Sequence, residues 1–139
     1  MTENDVPSTP ITVIDGRDIT VFETLNDAEA AVETYDVDEH EFFDAAGRPL
    51  TPITEGYKVR LRRDPSSPPE VERLESALRA YFTGLATRDD RWEAFATRAA
   101  NAAELRELLD LRLSLGREAE NEKRRLRSLW GRLSGRDED

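Results

Sequence analysis

Residues 56–70, GYKVRLRRDPSSPPE, constrain this chain more than any other stretch, because no single element of secondary structure can run through them. Tyr57, Val59 and Leu61 alternate with Lys58, Arg60 and Arg62, the period of a strand with one buried face. The run from Asp64 to Pro69 then withdraws backbone donors and fixes φ at its prolines, which stops both strand and helix. Ser67, Pro68 and Glu70 follow as an N-cap, a first-turn proline and a capping-box acid. A strand-rich half must therefore precede this stretch and a helical half must follow it.

In the first half, residues 1–9 read as a disordered lead, being polar and interrupted by Pro7. Ile11–Ile14 and Ile19–Phe22 are short β-branched runs on either side of Asp15-Gly16-Arg17-Asp18, a hairpin signal. Thr24 caps a helix with Asp27 at the capping-box position, and Leu25, Ala28, Ala31, Val32 and Tyr35 fall on one face of it. His40–Asp44 and Pro49–Ile53 predict two more strands about a turn at Gly47, and Gly56–Arg62 closes the sheet with Tyr57, Val59 and Leu61 at its centre. The order is ββαβββ within residues 10–63.

That order, the pair Phe42-Phe43, the Gly47-Arg48-Pro49-Leu50 turn and the basic alternating strand Gly56–Arg63 resemble the ubiquitin-like β-grasp family, and bacterial ubiquitin-like variants in particular. The resemblance covers about residues 10–63 and implies a binding fold. It departs from the family in two places. The segment from Leu50 to Gly56 is short, and Arg63-Asp64-Pro65 stands where a conjugated modifier carries Gly-Gly. The resemblance thus implies a module that binds and is not itself conjugated.

Beyond a linker at 64–67 the pattern predicts helices over about 68–86, 88–115 and 117–134, with 136–139 as a disordered tail. Val71, Leu74, Leu78, Tyr81 and Leu85 repeat at 3-4-3-4 spacing, and Thr87 with Asp90 forms a second capping box. Trp92, Phe95, Ala96 and Ala99 line the next helical face, and Asn101 with Glu104 is either a fresh cap or part of a continuous helix. Leu105, Leu108, Leu109, Leu111, Leu113 and Leu115 cover more than half a helix circumference, as the middle of a bundle or a subunit interface does. After Gly116 a thinner seam continues through Ala119, Glu122, Leu126, Leu129 and Leu133, as in a coiled coil. The fold class is α+β, a small β-grasp-like head followed by a helical bundle or coiled-coil extension.

Composition narrows the chemistry. The formal charge is −10, and residues 1–64 hold 15 acids against 6 bases while residues 65–139 hold 15 against 14. The acidic half repels nucleic acid and anionic lipid at long range, so any polyanion contact has to come from the second half. With no cysteine there is no thiol chemistry, and His40, the only histidine, falls into no triad spacing. Asp36, Asp38, Glu39, Glu41 and Asp44 crowd together but miss the EF-hand pattern at Glu41 and Gly47, and read as a solvated loop. No catalytic residue, metal site or cofactor is expected. The N-terminal residues are acidic and polar and no run is long enough to span a bilayer, which predicts a cytoplasmic protein.

The strongest interaction signal is Lys123–Leu133, with five bases, no acid and an apolar stripe ending in Trp130. Near an anionic bilayer five bases gain about 5 kcal/mol, reduced by the acids at either end. The leading expectation is a non-enzymatic interaction module or adaptor that meets a protein partner, or itself, through its helical region. Its candidate contact residues are Tyr57, Lys58, Arg60 and Arg62 on the last strand and Leu108, Leu111, Leu115, Leu126, Leu129, Trp130 and Leu133 on the helices. One alternative is a small acidic inhibitor or immunity protein that covers a basic site on a toxin or nuclease. Another is a regulator that meets anionic membrane or nucleic acid through residues 123–133.

Overall fold

The computed structural model describes residues 6–32 and 34–135, and side chains outside 33–36 and 133–135. β1 (Ile11–Asp15) and β2 (Asp18–Phe22) form the expected hairpin, with Gly16 at φ +61° in its two-residue turn. α1 (Leu25–Ala31) starts at Thr24, whose hydroxyl accepts from the Asp27 amide at 3.1 Å. A 3-10 turn (Thr34–Glu39) leads to β3 (His40–Phe43), and β4 (Leu50–Glu55) and β5 (Lys58–Arg63) make a second hairpin. Leu25 is half-buried, Ala28 and Val32 are buried and Ala31 is exposed, while the Tyr35 side chain lies outside the described set.

The pairing differs from the expected single sheet. β1 lies between β2 and β3, antiparallel to both, whereas β5 pairs with β4 alone. One bridge, Phe43 to Pro49, joins the two pieces. β5 is therefore not central, and Tyr57 belongs to the β4–β5 turn rather than to the strand. Gly56 at φ +64° tightens that turn and leaves Tyr57 98% exposed.

β1 is buried at four consecutive residues, Ile11 to Ile14. Alternation along a strand sends neighbouring side chains to opposite faces, so such a run needs cover on both. Ile11 and Val13 pack with Ala28, Val32, Phe42, Leu50, Val59 and Leu61, the layer made by α1 and the β4–β5 hairpin. Ile14 joins Ile19, Val21 and Phe43 in a larger core completed by the C-terminal helices.

Those helices are α2 (Val71–Arg88), a 3-10 turn (Asp90–Trp92), α3 (Glu93–Asn101) and α4 (Leu105–Gly135). Leu74, Leu78 and Phe82 of α2 meet Ala99 of α3 and Leu105, Leu108, Leu109, Leu111 and Leu115 of α4 against the sheet. Phe82 and Phe95 stack with ring centroids 6.4 Å apart, and Trp92 meets Phe95 edge-on. The helices thus fold back over the strands.

Several boundaries move from their expected places. α2 begins at Val71 without a side-chain cap, because the Ser67 hydroxyl donates to Asp64 at 3.0 Å instead. Asp64 also accepts from the Ser66 amide and hydroxyl, which closes a local turn before the helix. At the far end Thr87 bonds back to the Thr83 carbonyl within α2, and Asp89 caps the next turn through the Arg91 amide. The expected long helix over 88–115 is broken at 102–104, where Arg79 of α2 donates to the carbonyls of Ala99 and Ala102. Gly116 does not break α4, whose packed leucines outweigh the ~1 kcal/mol helical penalty of one glycine.

The lead at 6–10 is attached rather than loose. Pro7 and Pro10 are buried, and the Ser8 carbonyl accepts from the Ala45 amide at 3.0 Å. Residues 1–5 and the tail 136–139 lie outside the described residues.

Candidate interaction surfaces

α4 has 31 residues and is about 46 Å long at 1.5 Å per residue. Its N-terminal half belongs to the core, with Leu108 fully buried and Leu111 and Leu115 nearly so. These three expected contact residues are consequently inside the chain's own fold, and their apolar face is satisfied by α2, α3 and the sheet. Polar ties fix the same half in place. Arg112 donates from Nε to the Ile19 carbonyl at 2.7 Å, capping an outward acceptor of edge strand β2, and its guanidinium lies over the Tyr81 ring. Burial pushes the Arg112 pKa down, opposed by Tyr81 and Asp18. Arg117 reaches Glu23 at 2.6 Å.

Beyond Leu115 the same seam leaves the body. Ala119 and Glu122 are half-buried, and Arg91 to Glu122 at 3.6 Å is the last ion pair between the helix and the body among the described residues. Leu126 and Leu129 are each 48% exposed and Trp130 is 66% exposed. The Leu133 side chain lies outside the described set. Residues 123–135 thus form an arm of about 20 Å whose apolar stripe has no partner among the described residues. Arg125 and Arg127 pair back to Glu122 and Glu120 at 3.8 and 3.6 Å, whereas Lys123, Arg124 and Arg132 have no ion-pair partner among the described residues.

A second exposed patch is the β4–β5 hairpin. Ile53, paired with Arg60 across the hairpin, is 45% exposed, and Tyr57 in the turn protrudes with Lys58 exposed next to it. The other two expected cations are engaged within the fold. Arg60 lies 3.7 Å from Glu55, and Arg62 lies 3.5 Å from Glu29 of α1. Glu29 also accepts the Leu61 amide at 2.7 Å, satisfying an outward donor of β5. Lys58 and Tyr57 thus remain on the surface, joined by Ile53, which the alternation pattern had placed within a strand without assigning its face.

In the acidic segment before β4, Asp38, Glu39 and Glu41 are exposed, as expected of a solvated loop, the Asp36 side chain lies outside the described set, and Asp44 departs from the expectation. Asp44 is fully buried, and its Oδ1 accepts from the amides of Ala46 and Arg48 at 2.9 and 3.0 Å. Gly47, at φ +77°, then passes under the start of α2, where the Glu70 amide donates to its carbonyl at 2.8 Å. Glu41 pairs with Arg73 of α2, whose guanidinium lies over the Phe43 ring. His40 is 3.7 Å from Asp15 across the β1–β3 pair. Among the described residues no three His, Cys, Asp or Glu side chains are grouped as a metal ion would require.

One open concavity went unforeseen. Ile14, Ile19, Ala77, Ala80, Tyr81 and Gly84 floor a groove between the β1–β2 turn and α2, with Arg17 and Arg88 at its rim. No helix among the described residues is long and apolar enough to cross a membrane. Comparison with protein-family models, with curated proteins and with solved structures finds no match to the chain.

Proposed function

We propose that the chain is a non-enzymatic adaptor: a folded body that offers the β4–β5 hairpin to a protein partner, and an arm that holds the body against a second surface. The observation that carries this reading is the course of α4, whose apolar seam runs out of the core after Leu115 and continues, exposed, through Leu126, Leu129 and Trp130. A stripe of that kind is stabilised by a counterpart and has no use in a chain that acts alone. The hairpin supports the other half of the proposal, since its turn presents the exposed aromatic ring of Tyr57 next to Lys58, and its outer face presents Ile53, residue types that anchor protein contacts.

A ubiquitin-like head forms part of this proposal. The order of two strands, one helix and three strands supports it, while the edge position of β5 departs from it. With Arg63-Asp64-Pro65 at the end of the head, the role proposed is binding and not conjugation. A partner of complementary charge is favoured over a second copy for the arm, because its stripe is flanked by bases alone.

Photocrosslinking residues placed singly at positions 57, 129 and, as a control, at the exposed Thr97 test the reading in the native cytosolic and membrane fractions. Position 57 should capture a discrete protein that Thr97 does not, and Ile53→Asp should abolish the capture. No adduct at either 57 or 129 would end the adaptor reading.

A further inference from the structure

We propose that the arm of α4, residues 123–135, is an anchor for an anionic lipid surface. This deepens the adaptor reading and rests on its view of the arm as a docking element.

The placement of charge about the stripe carries the inference. With about 100° per residue, Leu126, Leu129 and Trp130 fall within roughly 100° of helix surface. Lys123 and Arg127 border that stripe on one side, Arg125 and Arg132 on the other, and only Arg124 lies opposite. Cations on both margins of an apolar face match a layer whose acyl chains accept Leu126, Leu129 and Trp130 while its phosphates meet the guanidinium and ammonium heads. An indole at this position fits the same boundary, apolar in body and with one N–H to place among headgroups.

The alternatives fit less well. A second copy would oppose Lys123, Arg125 and Arg132 to their own kind, over a segment of fewer than two heptads. A phosphate backbone would satisfy the bases and leave Leu126, Leu129 and Trp130 in water. The rest of the chain carries a formal charge of −15, part of it in Glu118, Glu120 and Glu122 just before the arm and in Asp137, Glu138 and Asp139 just after it. Arg125 and Arg127 pair back to Glu122 and Glu120, which lowers the attraction and leaves Lys123 on one margin of the stripe and Arg132 on the other without an ion-pair partner among the described residues.

The probe is a set of unilamellar vesicles, either phosphatidylcholine alone or phosphatidylcholine and phosphatidylglycerol in equal parts, mixed with the full chain. Flotation and fluorescence of a Trp92→Phe variant, in which Trp130 is the only tryptophan, read the binding. The full chain should float with the anionic vesicles, Trp130 emission should move to shorter wavelength, and Lys123→Glu with Arg132→Glu should lower partitioning by at least about tenfold. Leu126→Ser with Leu129→Ser should abolish flotation while the far-ultraviolet spectrum of the body is kept. Failure to float with anionic vesicles overturns the proposal, as does equal flotation with phosphatidylcholine alone. Salt-sensitive binding to duplex DNA that survives the two serine substitutions would also overturn it, in favour of nucleic acid. A protein adduct at position 129 without flotation would overturn the lipid surface and leave the adaptor standing; flotation without capture at position 57 would keep the lipid anchor and remove the adaptor.

Discussion

Replacing Gly47 by alanine tests how the sheet is fastened to the helices. Gly47 has φ +77°, and a Cβ built there meets Val71 Cγ2 at 3.0 Å, Val71 Cα at 3.1 Å and the Val71 nitrogen at 3.2 Å. Left-handed backbone costs a non-glycine residue about 1–2 kcal/mol. Crowding against a helix backbone that cannot rotate aside adds about 1–3 kcal/mol. Any displacement also weakens the bond from the Glu70 amide to the Gly47 carbonyl, worth about 1 kcal/mol. The total is about 3–6 kcal/mol, a large part of the ~5–15 kcal/mol that keeps a chain of this size folded. Gly56 is the internal control, with φ +64° and nothing within 4 Å of its Cβ position, so Gly56→Ala should cost only about 1–2 kcal/mol. Urea unfolding followed by circular dichroism measures both. In a Val71→Ala background Gly47→Ala should recover only in part, because two of its three close neighbours are backbone atoms. Equal losses for Gly47→Ala and Gly56→Ala would refute the idea that this loop is wedged under α2.

Other consequences can be checked separately. Leu108→Ala should destabilise the chain by about 2–5 kcal/mol and Leu129→Ala by less than about 0.5 kcal/mol, since one fills the core and the other faces solvent; the same unfolding curves decide it. Amide exchange should divide α4, with slow exchange over Leu105–Leu115 and fast exchange from Lys123 onward, and uniform protection along the helix would contradict the exposed arm. The Asp64 carboxyl, held below its usual value by hydrogen bonds from Ser66 and Ser67, should titrate low by NMR and rise in Ser66→Ala. Because its folded pKa is depressed, what it contributes to stability is present above the ordinary carboxyl range and fades as pH falls through the folded value. Gly84→Ala, inside α2 with nothing within 4 Å, should stabilise by up to about 1 kcal/mol.

The elements themselves were largely readable from residues. Asp15-Gly16-Arg17-Asp18 gave its turn, Thr24 its cap and the alternating strands their positions, because each depends on chemistry within a few residues. Ser67 misled for an equally local reason: Asp64, three residues back, offers a stronger acceptor and takes the hydroxyl that would have capped α2. Tyr57 follows the period of β5 yet falls in a turn, since alternation cannot say where a hairpin closes. The candidate contact surface shows a longer-range limit. Leu108, Leu111, Leu115, Leu126 and Leu129 lie along one stripe with the same spacing, and periodicity cannot distinguish those that meet α2 and β2 from those that meet water. Glu29, which reaches 32 positions along the chain to hold the Leu61 amide, left no signal in its neighbours.

The four consecutive buried residues of β1 bear on how such a chain can be divided or inherited. A gene cut after Arg63 keeps all five strands and α1, yet exposes Ile14, Ile19, Val21 and Phe43, which the intact molecule covers with α2 and α4. Such a fragment should aggregate or stay unfolded, and the helices without the sheet should fare no better. The strands and the first half of α4 therefore have to be transferred together in any recombination or fusion, and substitutions at Phe43 and Leu108 constrain one another despite the distance between them in sequence. The arm escapes that restriction. Its residues past Glu122 can be lengthened, shortened or recoded without disturbing the core, so its surface can change while the rest stays fixed.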